Sequence, residues 1–64
     1  MNRKLKGKII EKFEAQYKFA RRLGIAETDI SAVIRGRKVL DDNTQGKWAK
    51  ALGCEAEDIF GGAN

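Results

Sequence analysis

Apolar residues in this chain recur at every third or fourth position, in runs of only two or three turns. That spacing puts the apolar side chains of each run on one face of a helix. Residues that favour strands never alternate with polar ones for long, and proline is absent. The sequence therefore predicts an all-α fold, a compact bundle of four to five short helices. The runs are Leu5, Ile9 and Phe13; Phe19, Ala20 and Leu23; Ile30, Val33 and Ile34; Trp48, Ala49 and Leu52; and Ala56, Ile59 and Phe60.

Glycine and aspartate mark several of the expected helix ends. Gly24 and Gly36 follow the second and third runs, where a left-handed residue commonly closes a helix. Asp41 or Asp42 is the expected N-cap of the fourth helix. Gly46 falls inside that helix and should cost it about 1 kcal/mol relative to alanine.

Three apolar residues outside the helices are expected to be buried. Ile25 follows Gly24 in the turn, and Val39 and Leu40 precede the fourth helix. We expect all three to pack on the core.

The junction between the first two helices has no obvious stop. Residues 12–19 read "KFEAQYKF", without a glycine or a Ser, Thr or Asp cap. Local propensity would let one helix run from Ile9 to Leu23. A continuous rod, however, could not fold the first apolar stripe back onto the later helices. We therefore expect a break near Glu14 and Ala15.

The chain length predicts one domain, residues 1–60, with residues 61–64 as a flexible tail. A chain of 64 residues buries only roughly 60% of its unfolded surface, which leaves no room for a substrate domain. One cysteine and no histidine argue against a disulfide or a zinc site. No nucleophile–base pair or phosphate-binding loop is recognisable. We expect no enzyme activity, cofactor, metal or small-molecule substrate.

The location predicted from the sequence is the cytoplasm. A single unpaired cysteine suits a reducing compartment. The first apolar pair, Ile9 and Ile10, is far shorter than a signal-peptide core or a membrane span. No membrane partner is expected.

Charge is distributed unevenly along the chain. The net charge is +4, with +6 on residues 1–25 and −3 on residues 41–64. This asymmetry favours a protein that turns one side towards a polyanion. Ordinary solvated helix faces would give the same pattern, so charge alone does not decide.

Residues 16–38, "QYKFARRLGIAETDISAVIRGRK", resemble the helix-turn-helix of phage Cro and repressor proteins, the xenobiotic-response-element-like family. Residues 46–60, "GKWAKALGCEAEDIF", are similar to that family's closing helices. The resemblance implies a lambda-repressor-like DNA-binding domain with its helix-turn-helix at 16–35 and its recognition helix at about 27–35. Ala15 and Ala26 depart from the pattern, since the family commonly has a Ser or Thr cap there. The matching positions are Gln16, Ala20, Leu23, Gly24, Ile25, Ile30, Val33, Gly36, Leu52 and Gly53.

The third helix offers a face for reading DNA. At about 100° per residue, its apolar residues point one way and Thr28, Ala32 and Arg35 point almost oppositely. In helix-turn-helix proteins this helix enters the major groove with its N-terminal residues nearest the bases. The candidates for base contact are Glu27, Thr28, Ser31, Ala32 and Arg35.

The chemistry of these side chains suits base edges. Thr28 and Ser31 can hydrogen-bond to bases, Ala32 can touch a thymine methyl group, and Glu27 can accept from a cytosine amino group. Arg35 reaches either a guanine or a phosphate. The alternative is that Thr28 and Ser31 are merely solvated surface residues.

The two acids of this helix have a structural alternative. Glu27 and Asp29 in a first turn stabilise the helix dipole. Asp29 could also reach back as part of a capping arrangement at Ala26.

Four residues are candidates for contacts with the DNA backbone. Gln16 resembles the family glutamine that contacts phosphate, and Arg37 and Lys38 follow the recognition helix. Lys18 is the fourth. Such contacts set register and make binding salt-dependent.

The expected function is sequence-specific binding of double-stranded DNA by a transcriptional repressor of phage or mobile-element type. A motif of this size reads few base pairs, so we expect a homodimer on a palindromic operator, with half-sites about 34 Å apart. Helices four and five or the tail should supply the dimer contact. The alternative is a protein-interaction module of the same fold, an antitoxin or antirepressor.

Overall fold

Five helices make up most of residues 1–61, the part of the chain that the computed structural model describes. They are α1 (Arg3–Phe13), α2 (Gln16–Leu23), α3 (Glu27–Ile34), α4 (Asp42–Ala51) and α5 (Ala56–Ile59). No strand occurs in this range, which confirms the predicted all-α bundle. Of the predicted tail, residues 62–64 lie outside the described residues. The Gly61 N–H donates to Glu57 O at 3.1 Å.

The core lies where the apolar faces of the helices meet. Leu5, Ile9 and Phe19 are fully buried, and so are Ile30 and Leu52. A chain of aromatic contacts crosses it: the ring centroids of Phe13 and Phe19 are 5.1 Å apart, those of Phe19 and Trp48 5.5 Å, and those of Trp48 and Phe60 6.2 Å. The expectation that these four aromatic residues serve the core is confirmed. Within residues 1–61, no helix is both long and apolar enough to cross a membrane.

The predicted break between the first two helices is confirmed at Glu14 and Ala15. Glu14 has φ 72°, in the left-handed region, and its N–H donates to Ile10 O at 2.9 Å. Ala15 is extended, with φ −154°. A left-handed conformation is sterically unfavourable for a residue with a Cβ, so packing of the α1 stripe on the core overrides local preference here.

Side-chain caps are present on some helices and missing on others. Asp41, not Asp42, caps α4: its Oδ1 accepts from the Thr44 N–H at 2.8 Å. Hydrogen bonding from the Thr44 side chain, and then from its backbone N–H, holds the pKa of Asp41 below its usual value. Ala15 and Ala26 precede α2 and α3 without any side-chain cap hydrogen bond, as their methyl groups require.

Two of the expected core residues are on the surface. Ile25 is 37% exposed and Val39 is 88% exposed, whereas Leu40 packs on the core. Ile25 belongs to a short connection, and connections run over the surface. Val39 and Leu40 are neighbours in the non-helical connection before α4, and of the two only Leu40 turns its side chain towards the core.

Replacing Gly46 with alanine is expected to stabilise the fold. A Cβ at Gly46 meets no atom within 4 Å, and an exposed helical position favours alanine by about 0.5–1 kcal/mol. We expect the midpoint of thermal unfolding to rise by roughly 4 °C, measured by circular dichroism. Gly24→Ala is the control: its Cβ also meets nothing, but φ is +72°, so the midpoint should fall. Shifts in the same direction would contradict this explanation.

Candidate nucleic-acid interface

Helix α3 buries one face and leaves the other open, as its sequence predicts. Ile30, Val33 and Ile34 are in the core. On the other side, a concave surface, here called the α3 concavity, brings together four of the five candidates for base contact with one candidate for phosphate contact. It is lined by Thr28, Ser31, Ala32, Arg35 and Arg37.

The members of the α3 concavity differ in exposure. Thr28 and Arg35 are exposed, whereas Ser31 and Ala32 are half-buried. The long side chain therefore stands at the rim and the small side chains form the floor. Glu27 is exposed at the first position of α3 and is not among the lining residues.

The end of α3 is closed by backbone hydrogen bonds that bring Arg37 back beside the helix. The Arg37 N–H donates to Ala32 O at 2.8 Å and the Gly36 N–H to Val33 O at 3.1 Å, the pair of bonds that defines a Schellman motif. Gly36 takes φ +81°, which residues with a Cβ rarely adopt. This turn explains why Arg37 lines the α3 concavity although it lies beyond the helix.

The predicted phosphate-contact residue Gln16 is joined to α3. The Ser31 hydroxyl donates to Gln16 Oε1 at 3.1 Å. Gln16 is the first residue of α2 and half-buried. The bond leaves the Nε2 group of Gln16 as a donor beside the α3 concavity.

The two lysines among the candidates both have acidic neighbours. Lys38 Nζ lies 3.6 Å from Asp29 Oδ1. Lys18 Nζ lies 2.7 Å from Glu14 Oε1, and this hydrogen bond raises the pKa of Lys18 and lowers that of Glu14. All four side chains are 44% to 79% exposed, so these pairs contribute little to stability. The two carboxylates do offset part of the positive charge that these lysines would present to a ligand.

The positions of Lys18 and Asp29 refine the expectations made from sequence. Lys18 is exposed on α2 beside Glu14 and is not among the residues that line the α3 concavity. Asp29 lies in the first turn of α3, where an acid was expected to stabilise the helix dipole. Its carboxylate also pairs with Lys38, the residue after the Schellman turn.

Asn2 holds the end of α3 in position, a role that the sequence did not indicate. Its backbone N–H donates to Ile34 O at 2.6 Å, and its Nδ2 donates to Ile59 O at 2.7 Å. Its Oδ1 also caps α1 by accepting from the Leu5 N–H at 3.0 Å. Asparagine before a helix is a recognisable N-cap, but nothing local predicts the bonds to α3 and α5. Asn2 therefore fixes the end of α3 against α1 and α5.

Comparison with known proteins gives one match. The model of a family described as "Protein of unknown function (DUF739)" matches residues 2–60, a range that includes all five helices. No curated protein and no solved structure matches the chain.

Proposed function

The chain belongs to the DUF739 family, and since that family's description names no activity, we propose a function from the geometry of α3: sequence-specific binding of double-stranded DNA. The protein would act as a transcriptional repressor of the Cro and repressor type that its sequence resembles. In this proposal it is a cytoplasmic binding protein without catalytic activity or cofactor.

The observation that carries this proposal is the composition and shape of the α3 concavity. A helix with its side chains is about 10–12 Å wide and the major groove about 12 Å, so a short exposed helix fits. Two hydroxyl groups, one methyl group and one guanidinium along the helix match the hydrogen-bonding groups and methyl groups of base edges. Arg37 at the rim supplies a charge for the phosphate backbone.

The test of the proposal is selection of bound sequences from a random pool of DNA duplexes. We expect enrichment of a palindrome with half-sites about 34 Å apart and binding that weakens steeply with salt. Weak binding without enrichment, unchanged in Arg35→Ala and Arg37→Ala variants, would count against DNA binding. That result would favour the alternative, a protein-interaction module.

We further infer that the homodimer forms around Val39. This apolar side chain is 88% exposed and lies at a groove whose other lining residues include the apolar Val33, Ile34, Leu40 and Phe60 and the polar Asn2, Lys38 and Gln45. A protruding apolar residue at a partly apolar groove can be complementary to itself under two-fold symmetry. The nearby charged residues Lys38 and Asp41 have opposite signs, so two copies need not repel each other. The groove borders α4 and the end of α5, where the sequence analysis expects the dimer contact.

Replacing Val39 with aspartate is expected to dissociate this dimer. Each copy loses an apolar contact worth about 1.5 kcal/mol or more, so the dimer dissociation constant should rise by at least ~100-fold. Sedimentation across a range of concentrations measures it. Ile10→Asp is the control, because Ile10 is also an exposed aliphatic residue, 45% accessible on α1. A parent that is monomeric throughout, or an equal effect of both variants, would contradict the inference.

A further inference from the structure

The hydroxyl group of Ser31 has its single proton committed within the protein. Ser31 Oγ donates to Gln16 Oε1 at 3.1 Å. A serine hydroxyl has one O–H donor and two acceptor lone pairs. Ser31 is half-buried and lines the α3 concavity. Towards a ligand in the concavity, Ser31 therefore presents acceptors only.

An acceptor in the major groove distinguishes the bases. Adenine and cytosine carry exocyclic amino groups there, whereas guanine presents N7 and O6 and thymine presents O4, all of them acceptors. A hydroxyl free to rotate would satisfy either kind of group. A hydroxyl held by Gln16 satisfies only the amino groups.

Glu27, like Ser31, offers only hydrogen-bond acceptors. It precedes Ser31 by four residues, which puts the two side chains on neighbouring positions of one helix face. An ionised carboxylate is also an acceptor only. Glu27 is not among the residues that line the α3 concavity, so its acceptors would add to those of Ser31 from the leading tip of α3.

We propose that Gln16 holds Ser31 as an obligate acceptor, so that Ser31 selects adenine or cytosine, through an exocyclic amino group, on the DNA strand it faces. The inference rests on the proposed function and specifies its ligand. Gln16 has two effects in it: its Nε2 group donates to a phosphate, and its Oε1 fixes the hydrogen-bond polarity of Ser31. Ser31 contacts the base, and Gln16 is a positioning residue that acts through it.

A purely structural role for the Ser31–Gln16 bond makes a different prediction. If the bond only joined α2 to α3, its loss would lower stability or weaken all sequences equally. Removing a phosphate contact alone likewise weakens binding evenly across sequences. A change of base preference at one position arises only if the polarity of Ser31 matters.

Two substitutions of Gln16 separate these effects. Gln16→Glu retains an acceptor for the Ser31 hydroxyl but loses the amide donor, so affinity should fall while the base preference stays. Gln16→Met loses both, so affinity should fall and the preference should relax. Thermal unfolding by circular dichroism checks that each variant is folded.

The measurement begins with selection from a random duplex pool by the parent and by Ser31→Ala. The base pair whose preference differs between the two is the Ser31 contact. Every base pair contains one amino base, adenine or cytosine, so removal of that amino group decides whether Ser31 binds it. Replacing that base by its analogue without the amino group, purine or pyrimidin-2-one, should weaken parent binding by about tenfold or more. Gln16→Glu should show the same loss, and Gln16→Met and Ser31→Ala should show almost none.

Each other outcome overturns the inference. Unweakened binding of the parent to the duplex that lacks the amino group, no position that responds to Ser31→Ala, or a preference retained in Gln16→Met would refute it while leaving DNA binding intact. A parent that enriches no sequence at all would instead refute the proposed function, and this inference with it.

Discussion

Replacing Phe19 with alanine is expected to lower the midpoint of thermal unfolding by about 12 °C or more. Phe19 is fully buried and contacts the rings of both Phe13 and Trp48, with centroids 5.1 and 5.5 Å away. Truncating a buried phenylalanine costs about 3–5 kcal/mol. A chain of 64 residues has a total stability of about 3–10 kcal/mol at the usual value per residue. Thermal and urea unfolding, followed by circular dichroism, measure the loss.

Tyr17→Ala is the matched control for Phe19→Ala. Tyr17 is an aromatic residue on the same helix, but it is 49% exposed. Its truncation should shift the unfolding midpoint by only a few degrees. If Phe19→Ala also melts within a few degrees of the parent, the aromatic chain does not hold the helices together in the way its contacts indicate.

The importance of Phe19 illustrates which part of the fold is predictable from sequence. The apolar period identifies the inner face of each helix, and Leu5, Ile9, Phe19 and Ile30 are all fully buried as expected. Burial of such residues is a property of a short window, because side chains three or four positions apart share a helix face. The break at Glu14 follows only from how the first helix must pack on the later ones. No glycine in the sequence marks the residue that takes the left-handed φ of 72°.

The exposures of Ile25 and Val39 show where local reasoning fails. Both are aliphatic residues between helices, and hydrophobicity alone predicts burial. Whether such a residue faces inwards depends on the path of the connecting chain, which the neighbouring helices determine. Val39 is exposed because Leu40 takes the inward position, and the sequence contains no sign of which of the two does so.

The candidate site also has one part that follows from the local sequence and another that depends on how the helices pack. The side chains on the open face of α3 follow from angular position, and four of the five candidates line the α3 concavity. The contacts that orient this face join residues far apart in sequence: Ser31 with Gln16, and Asn2 with Ile34 and Ile59. Such contacts depend on how helices pack, so no local pattern predicts them.

Removing both arginines of the α3 concavity is expected to abolish tight DNA binding. In the Arg35→Ala/Arg37→Ala double variant, affinity should fall by about 100-fold or more, since each such contact is worth roughly tenfold or more. The backbone bonds of the turn after α3 do not use these side chains, so the fold should persist. Fluorescence titration of the selected duplex at several salt concentrations measures both affinity and salt dependence.

The salt dependence decides what Arg35 contacts. The slope of log affinity against log salt is negative and becomes shallower when phosphate contacts are lost. If both arginines bind phosphates, the double variant should be shallower by about 2. If Arg35 reads a guanine, only the loss of the Arg37 contact changes the slope, by about 1. In the latter case Arg35→Ala also relaxes the preference at one base pair, whereas Arg37→Ala weakens all sequences evenly.

Lys47→Ala/Lys50→Ala is the matched control, because it removes two positive charges from exposed positions on α4. If that control weakened binding as much as the arginine pair, the affinity would come from net charge alone, and α3 would have no special part in it.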